Sequence, residues 1–356
     1  MKQSIAVFGT RGMKYAYSNA RVKAMKEALL PSGTFEQMVA ANTIRDVIGI
    51  LERTDYKVDF SEPALRYSGA DLVDFALGKH LVRKARKILS FTPPEALPAV
   101  LSVLEKWDVY NLKTILLAKH LGYPNKEIAP LLVPAGVFTE PELNRILERA
   151  SVEDVISFIG GTGYGVELKP LIDNYKRTKN AQPLLNAVER HFYVNLSRSI
   201  PPNIPDGMKI LALVKMEVDN RNIVNILRGK CEGAKEQEIR QYMIGGGRLS
   251  ASELDRLIGC RGADEVVKAV CERYRLEGVA AVYKQTHSIV AVEIALERMV
   301  MEFGLKTLRT SVLSPGALIG YLYLKENEIT NIRKILRGKE FGMPPEKIRE
   351  TMVLVV

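Results

Sequence analysis

Apolar residues recur along most of this chain with the period of a helix. After Asn111 they fall at Leu112, Ile115 and Leu116; after Asn222 at Ile223, Ile226 and Leu227; after Asn331 at Ile332, Ile335 and Leu336. These i, i+3, i+4 stripes predict three amphipathic helices, each with one buried face. The stripes belong to a motif written three times: "DVYNLKTILLAKHLG", "DNRNIVNILRGKCEG" and "NEITNIRKILRGKEFG". Its asparagines are almost evenly spaced along the chain, and an isoleucine (Ile128, Ile239, Ile348) follows each at the same ungapped distance. So regular a period means one structural unit laid down three times.

The ends of these helices are legible. Lys119, Arg228 with Lys230, and Arg337 with Lys339 fall in the last turns, where a cation meets the negative end of the helix dipole. Gly122, Gly233 and Gly342 then act as stop signals. A second helix is expected after each glycine, with Pro124 and Pro344 near its first turn, and is expected to run to Gly136 or Gly247. A third helix follows, with capping-box spacing at Thr139 and Glu142 and at Ser250 and Glu253. Thr34 with Gln37 repeats that spacing near the N-terminus, so "LPSGTF", "VPAGVF" and "GGGRL" open three equivalent helices. The first unit therefore begins near residue 30, and the N-terminal helix is expected to meet the C-terminal unit. Pro93-Pro94, Pro201-Pro202 with Pro205, and Ser314-Pro315 mark breaks before the repeat helices. Alternating runs are short, so the chain reads as all-α, with six to seven helices per repeat.

Composition narrows the class without naming a chemistry. The chain has 356 residues, 47% apolar and 26% charged, which suits a soluble globular protein with ample core. Its net charge of +10 favours acidic partners: nucleic acid, anionic lipid or an acidic protein face. Cys231, Cys260 and Cys271 are odd in number and far apart, which fits neither a disulfide framework nor a metal cage and implies a reducing compartment. The start "MKQSIAVFGTRGMKYAY" lacks the apolar stretch of a signal peptide. The longest uncharged run, Thr310 to Leu324, is broken by Pro315, Gly316 and Gly320. It falls short of the roughly 20 residues that a membrane-spanning helix needs.

Candidate chemistry is sparse. "GGTGYG", from Gly160 to Gly165, has the composition of a phosphate-cradling loop. No Lys-Ser/Thr follows it, and the next repeat has "VCERYR" there, so a helix-breaking turn is the better reading. His80, His120, His191 and His287 lack partners at ligand spacing and read as surface or packed residues. No nucleophile elbow, zinc motif or paired-carboxylate motif stands out, so no catalytic, cofactor-binding or metal residue is assigned. Asn111, Asn222 and Asn331 are functional or structural; an asparagine beside an apolar stripe commonly satisfies backbone groups of an adjoining turn, which favours structure. Lys119, Arg228, Lys230, Arg337 and Lys339 either cap their helices or line a common face. The first repeat departs from the pattern, with Leu117 and Ala118 in place of Arg-Gly.

Together the three "NxxxIL(RG)K" helix pairs, "YAYSNARVKAMKEALL" from Tyr15 to Leu30 and "WDVYNLKTIL" from Trp107 resemble the C subunit of archaeal and bacterial A/V-type ATPases, whose eukaryotic vacuolar counterpart is the d subunit. The resemblance runs from about residue 15 to the C-terminus. It implies an all-α funnel of three pseudo-three-fold-related domains, here 15–125, 126–235 and 236–356. Residues 1–14 would be an extension, with Met13 an alternative start. It further implies a non-catalytic, cofactor-free socket on the cytoplasmic face of the membrane. That socket joins the central-stalk subunits (D and F type) to the proteolipid ring, with the membrane stator subunit as a further neighbour. Neither nucleic acid nor direct nucleotide binding is expected. In that setting the five repeat cations become candidate contacts to stalk or ring. The alternative, a basic helical nucleic-acid-binding scaffold, would gather Lys and Arg on one stripe, whereas here they are intermixed with Asp and Glu.

Overall fold

A computed structural model describes the backbone of residues 2–355 and the side chains of residues 14–355. Met1 and the side chains of the proposed N-terminal extension up to Met13 lie outside the described residues. Helix α1 (Lys2–Lys26) opens the chain. A first series follows: α2 (Ser32–Ala40), α3 (Ile44–Leu51), α4 (Lys57–Phe60), α5 (Gly69–Leu89), α6 (Leu97–Leu104), α7 (Lys106–Leu121) and α8 (Asn125–Ile128). A second comprises α9 (Glu140–Leu147), α10 (Val152–Phe158), α11 (Gly163–Leu168), α12 (Ile172–Thr178), α13 (Gln182–Ser199), α14 (Gly207–Cys231) and α15 (Glu236–Arg240). The last comprises α16 (Ala251–Ile258), α17 (Ala263–Tyr274), α18 (Val279–Thr286), α19 (Val290–Thr310), α20 (Gly316–Glu340) and α21 (Pro345–Thr351). Among the described residues there is no strand, so the fold is all-α.

The three series match in spacing. Helices α14 and α20 are both 25 residues long and carry their repeat asparagine at the same place. Helices α6 and α7 cover the corresponding stretch, interrupted at Glu105. Helices α2, α9 and α16 are each followed by a further helix at one and the same interval, at Ile44, Val152 and Ala263. The long helices end at Gly122, Gly233 and Gly342, all with positive φ (75°, 69° and 64°), a conformation glycine adopts without steric cost.

Both expected capping boxes, Thr139 with Glu142 and Ser250 with Glu253, are present. The one at Thr34 is not. Helix α2 starts at Ser32 behind Pro31, so Thr34 lies inside the first turn, where its N–H donates to the Pro31 carbonyl at 2.9 Å. A capping box that sequence reading missed forms instead at α3, between Thr43 and Asp46. The second helices are also shorter than expected, ending at Ile128 and Arg240, well before Gly136 and Gly247. The backbone beyond them is claimed by the repeat asparagines.

Each asparagine pins the same stretch of chain. The Asn111 amide donates to the Val133 carbonyl and accepts from the Val133 N–H, both at 2.8 Å. Asn222 does the same with Ile244, both at 2.8 Å. Asn331 holds Val353 at 2.8 and 3.0 Å. All three asparagines are buried, so each pair of bonds satisfies backbone groups that water cannot reach.

One turn earlier on each helix an acid makes a second pin. Asp108 accepts from the Val137 and Phe138 N–H groups at 2.6 and 3.1 Å. Asp219 accepts from Arg248 and Leu249 at 2.9 and 3.0 Å. A Cβ at Gly136 would overlap the Asp108 carboxylate, and one at Gly247 the Asp219 carboxylate, which is why these turns carry glycine. In the last series the acid is Glu328, and it accepts at 2.6 Å from the N–H of Leu30, near the other end of the chain. Helix α2 accordingly packs on α20, as α9 packs on α7 and α16 on α14. The N-terminal helix thus meets the C-terminal series.

At the position where the first repeat departs, the other two repeats pack closely. Gly229 and Gly338 face the isoleucine of the following helix so closely that a Cβ would stand 2.7 Å from Ile239 Cγ1 and 2.6 Å from Ile348 Cγ1. In the first repeat Ala118, also buried, occupies that place on α7, beside the short helix that carries Ile128.

Burial pushes the Asp108 carboxyl up to about 7, against the two N–H bonds that favour its charged form. A raised acid stabilises the fold most at low pH, and that contribution is lost as pH climbs from the unfolded value towards the folded one. Wild type is therefore expected to lose stability relative to Asp108→Asn between about pH 4 and pH 7, by up to about 1.4 kcal/mol per pH unit. Paired denaturant melts across that range check this; a flat difference would contradict it.

Candidate functional site

The three long helices carry their own meeting point five positions before each repeat asparagine. Lys106 at the start of α7, Glu217 on α14 and Glu326 on α20 occupy that offset. They converge on one ionic triad: Lys106 pairs with Glu217 and, at 2.9 Å, with Glu326. Tyr193 and Tyr323 donate their hydroxyls to Glu217 at 3.0 and 2.8 Å. Burial pushes Glu217 up, but the Lys106 ammonium, Arg221 and the Tyr323 hydroxyl together outweigh it and hold the carboxyl below its usual range. Burial acts to lower Lys106, but its two carboxylates outweigh that and raise it. Glu326 is raised by burial, and its neighbour Glu217 adds to the effect. The lysine is thus shared unequally between the two acids.

Towards the N-termini of α14 and α20 the chain is tied together by Asp206, which accepts from the Ser314 hydroxyl. Asn19 of α1 reaches the same turn, donating to the Ser314 carbonyl at 2.8 Å. Beside the triad lies a cavity of about 320 Å³. Its walls come from α7, α13, α14 and α20, and include Trp107, Tyr110, Phe192, Arg221 and Arg333. Arg333 lies over the rings of Trp107 and Tyr110, at 5.8 and 5.3 Å from their centroids, and pairs with Asp74 at 3.1 Å.

The repeat cations sit towards the C-terminal ends of the long helices, and four of them have different partners. Lys119 donates to Asn125 at 2.6 Å. Arg228 pairs with Glu293 at 3.0 Å and stays exposed. Arg337 pairs with Asp74 at 2.8 Å and with Glu340. Lys339 donates to the carbonyls of Val39, at 2.9 Å, and Ala41, at the end of α2. Lys230 is half-buried.

The glycine-rich segment is a packed turn. Thr162 accepts from the Gly165 N–H at 3.2 Å and caps α11, while a side chain at Gly163 would strike the His191 ring. His80 is wholly buried, bonded to Asp59 at 2.8 Å and stacked on Tyr56 with ring centroids 3.8 Å apart. Burial drives it down to about 4, leaving the ring neutral at physiological pH. Among the described residues no group of three His, Cys, Asp or Glu side chains is placed to hold a metal ion, and no helix is long and apolar enough to cross a membrane.

Sequence reading passed over the triad and the acid pins. A signal was present: each repeat asparagine is preceded by an acid at minus three (Asp108, Asp219, Glu328) and a charge at minus five.

The family model for the ATP synthase (C/AC39) subunit matches residues 18–351. The chain belongs to that family. It is 27% identical over 349 residues to the C subunit of the A-type ATP synthase of Thermoplasma acidophilum, covering 96% of this chain and 98% of the relative. The counterpart from Haloferax volcanii is 28% identical, with 97% and 99% covered, and that from Methanosarcina acetivorans 30%, with 96% and 93% covered. These relatives match nearly end to end, so the family assignment takes in all three repeats.

Proposed function

We propose that this subunit is the non-catalytic connector of an A-type ATP synthase, seating the rotating central stalk on the membrane proteolipid ring. It would sit on the cytoplasmic face, held by protein contacts. The observation that carries the reading is the triad. Equivalent positions of three repeats meeting at one point are what three units related about a common axis would produce, and the adjoining cavity is a natural seat for a stalk foot. The three units would close into a funnel, the joint between the last and the first being Glu328 with Leu30. The C-terminal ends of the long helices, with Lys119, Arg228, Lys230, Arg337 and Lys339, are then the candidate rim for stalk or ring contacts. Arg228 is the best placed of these, because its side chain remains 58% exposed while paired.

The reading is tested by mixing the purified chain with the central-stalk subunits of the same synthase. A stable complex is expected, with no ATP turnover by this chain alone. On native membranes the subunit is expected to be released by chaotrope or low-salt washes. Failure to bind the stalk, or release only by detergent, would overturn the proposal.

A further inference from the structure

The joint between the first and last series holds a buried polar cluster centred on His80 of α5. Each of its ring nitrogens faces a charged group. Nδ1 lies 2.8 Å from the Asp59 carboxylate of α4, and Nε2 lies 3.3 Å from the Lys325 ammonium of α20. A carboxylate only accepts, so Nδ1 carries the ring proton and Nε2 offers its lone pair to Lys325. Arg83, also near Nδ1, donates to Asp59 from two nitrogens, at 3.0 and 2.7 Å. Lys325 is itself buried and pairs with Glu328. Glu328 also accepts from the Tyr56 hydroxyl and the Leu30 N–H, each at 2.6 Å. Asp55 pairs with Arg83 and Lys84, and Tyr321 of α20 is buried nearby. Helix α6, which also packs on α5, has no ionisable side chain, and those of α3, Arg45 and Asp46, are exposed.

We propose that His80 is an acid-sensitive catch in this joint: neutral, it bridges Asp59 and Lys325, and a proton taken up at Nε2 parts α5 from α20. Once protonated, Nε2 has no lone pair for Lys325, and the new charge stands 3.3 Å from a buried ammonium. The ring can therefore carry charge only where the joint has opened. Burial, with Lys325 adding to it, holds the closed ring at about 4, below the 6.5 or so of an ordinary histidine. The joint is thus firm above the ordinary range and weakens as pH falls through the interval between the two values. Its opening constant rises by up to about tenfold per pH unit there. Burial acts to raise Asp55 and Asp59, but their partners outweigh it and hold both below the usual range, so they take up protons only in more acid solution. The catch belongs to the joint alone and does not depend on stalk or ring binding.

Two measurements on the full chain test the catch. In the first, amide hydrogen exchange, corrected for its intrinsic pH dependence, is followed from about pH 7.5 to about pH 5. The joint is read in α4, α5 and the Tyr321–Glu328 stretch of α20, with α17 as the reference. The opening constant of the joint segments is expected to rise by up to about tenfold per pH unit below about pH 6.5, ahead of α17. His80→Gln should abolish that rise, because its amide can donate to Asp59 and accept from Lys325 without titrating. In the second, the ring nitrogen shifts of isotope-labelled histidines are recorded over the same range and assigned with that variant. The closed form is expected to keep His80 in the Nδ1–H tautomer, unprotonated, down to about pH 5.

An unchanged rise in His80→Gln, or no rise in wild type, overturns the proposal. So does a His80 ring that titrates near its ordinary value while the joint segments stay protected, since the closed joint would then tolerate the charge. Exposure of α17 in step with the joint segments overturns it too, because acid would then be unfolding the whole chain. If His80→Gln does not fold, the wild-type exchange and ring titration still decide.

Discussion

Replacing Lys106 by methionine is expected to destabilise the protein by about 3–5 kcal/mol, the usual cost of removing one partner from a buried ion pair. The lysine is the cation that holds both Glu217 and Glu326 at the meeting point of the long helices. Arg221, the next cation along α14, is already engaged with Tyr193 and Glu189. Without Lys106, burial of Glu217 is opposed only by Arg221 and the Tyr193 and Tyr323 hydroxyls. The pH dependence then changes sign. In wild type the Glu217 carboxyl is held low, so its contribution is present above the ordinary carboxylate range and is lost as pH falls. In the variant it is raised, so the folded state gains as pH falls. The deficit should therefore be largest near neutral pH and shrink on acidification, and adding Glu217→Gln should recover part of it at neutral pH. Urea melts at several pH values measure this. A deficit below about 1 kcal/mol would mean that the triad is solvated like a surface pair.

Replacing Asn222 by alanine is expected to cost about 2–6 kcal/mol, because the N–H and carbonyl of Ile244 are both left buried without partners, at about 1–3 kcal/mol each. Asn111→Ala should behave alike through Val133. Asn331→Ala should cost less, since Asn327 also donates to the Val353 carbonyl at 2.8 Å and remains after the substitution. The order of the three costs is the sharper test. Equal losses would mean that the pins act through helix propensity and not through the backbone groups they satisfy.

The repeat helices, their glycine stops and two of the three helix-opening caps follow from sequence alone. All of them are local. An i, i+3, i+4 stripe, a positive-φ glycine or a serine three positions before a glutamate draws its energy from groups within a turn or two. The repeat also made the family resemblance legible, because so regular a spacing of Asn111, Asn222 and Asn331 survives substitution at most other positions. Thr34 shows the limit of such reading: the same spacing as Thr139 lies inside a helix because Pro31 starts that helix earlier.

Tertiary structure decided what the repeated polar positions do. Asn222 is written like any helix asparagine, and only the return of the chain at Ile244 makes it a pin. Lys106 stands 111 positions from Glu217 and 220 from Glu326, and the three are ordinary charges one by one. Their pairing depends on three helices arriving at one place, and no propensity or periodicity within a single helix encodes that distance. The same holds for the cations at the helix ends. By sequence, Lys339 is one more charge in a last turn. In the fold its ammonium finds the carbonyls that close α2, 300 and 298 positions away in the chain. Long-range partners of polar groups are set by which buried surfaces meet, and that is a property of the assembled core.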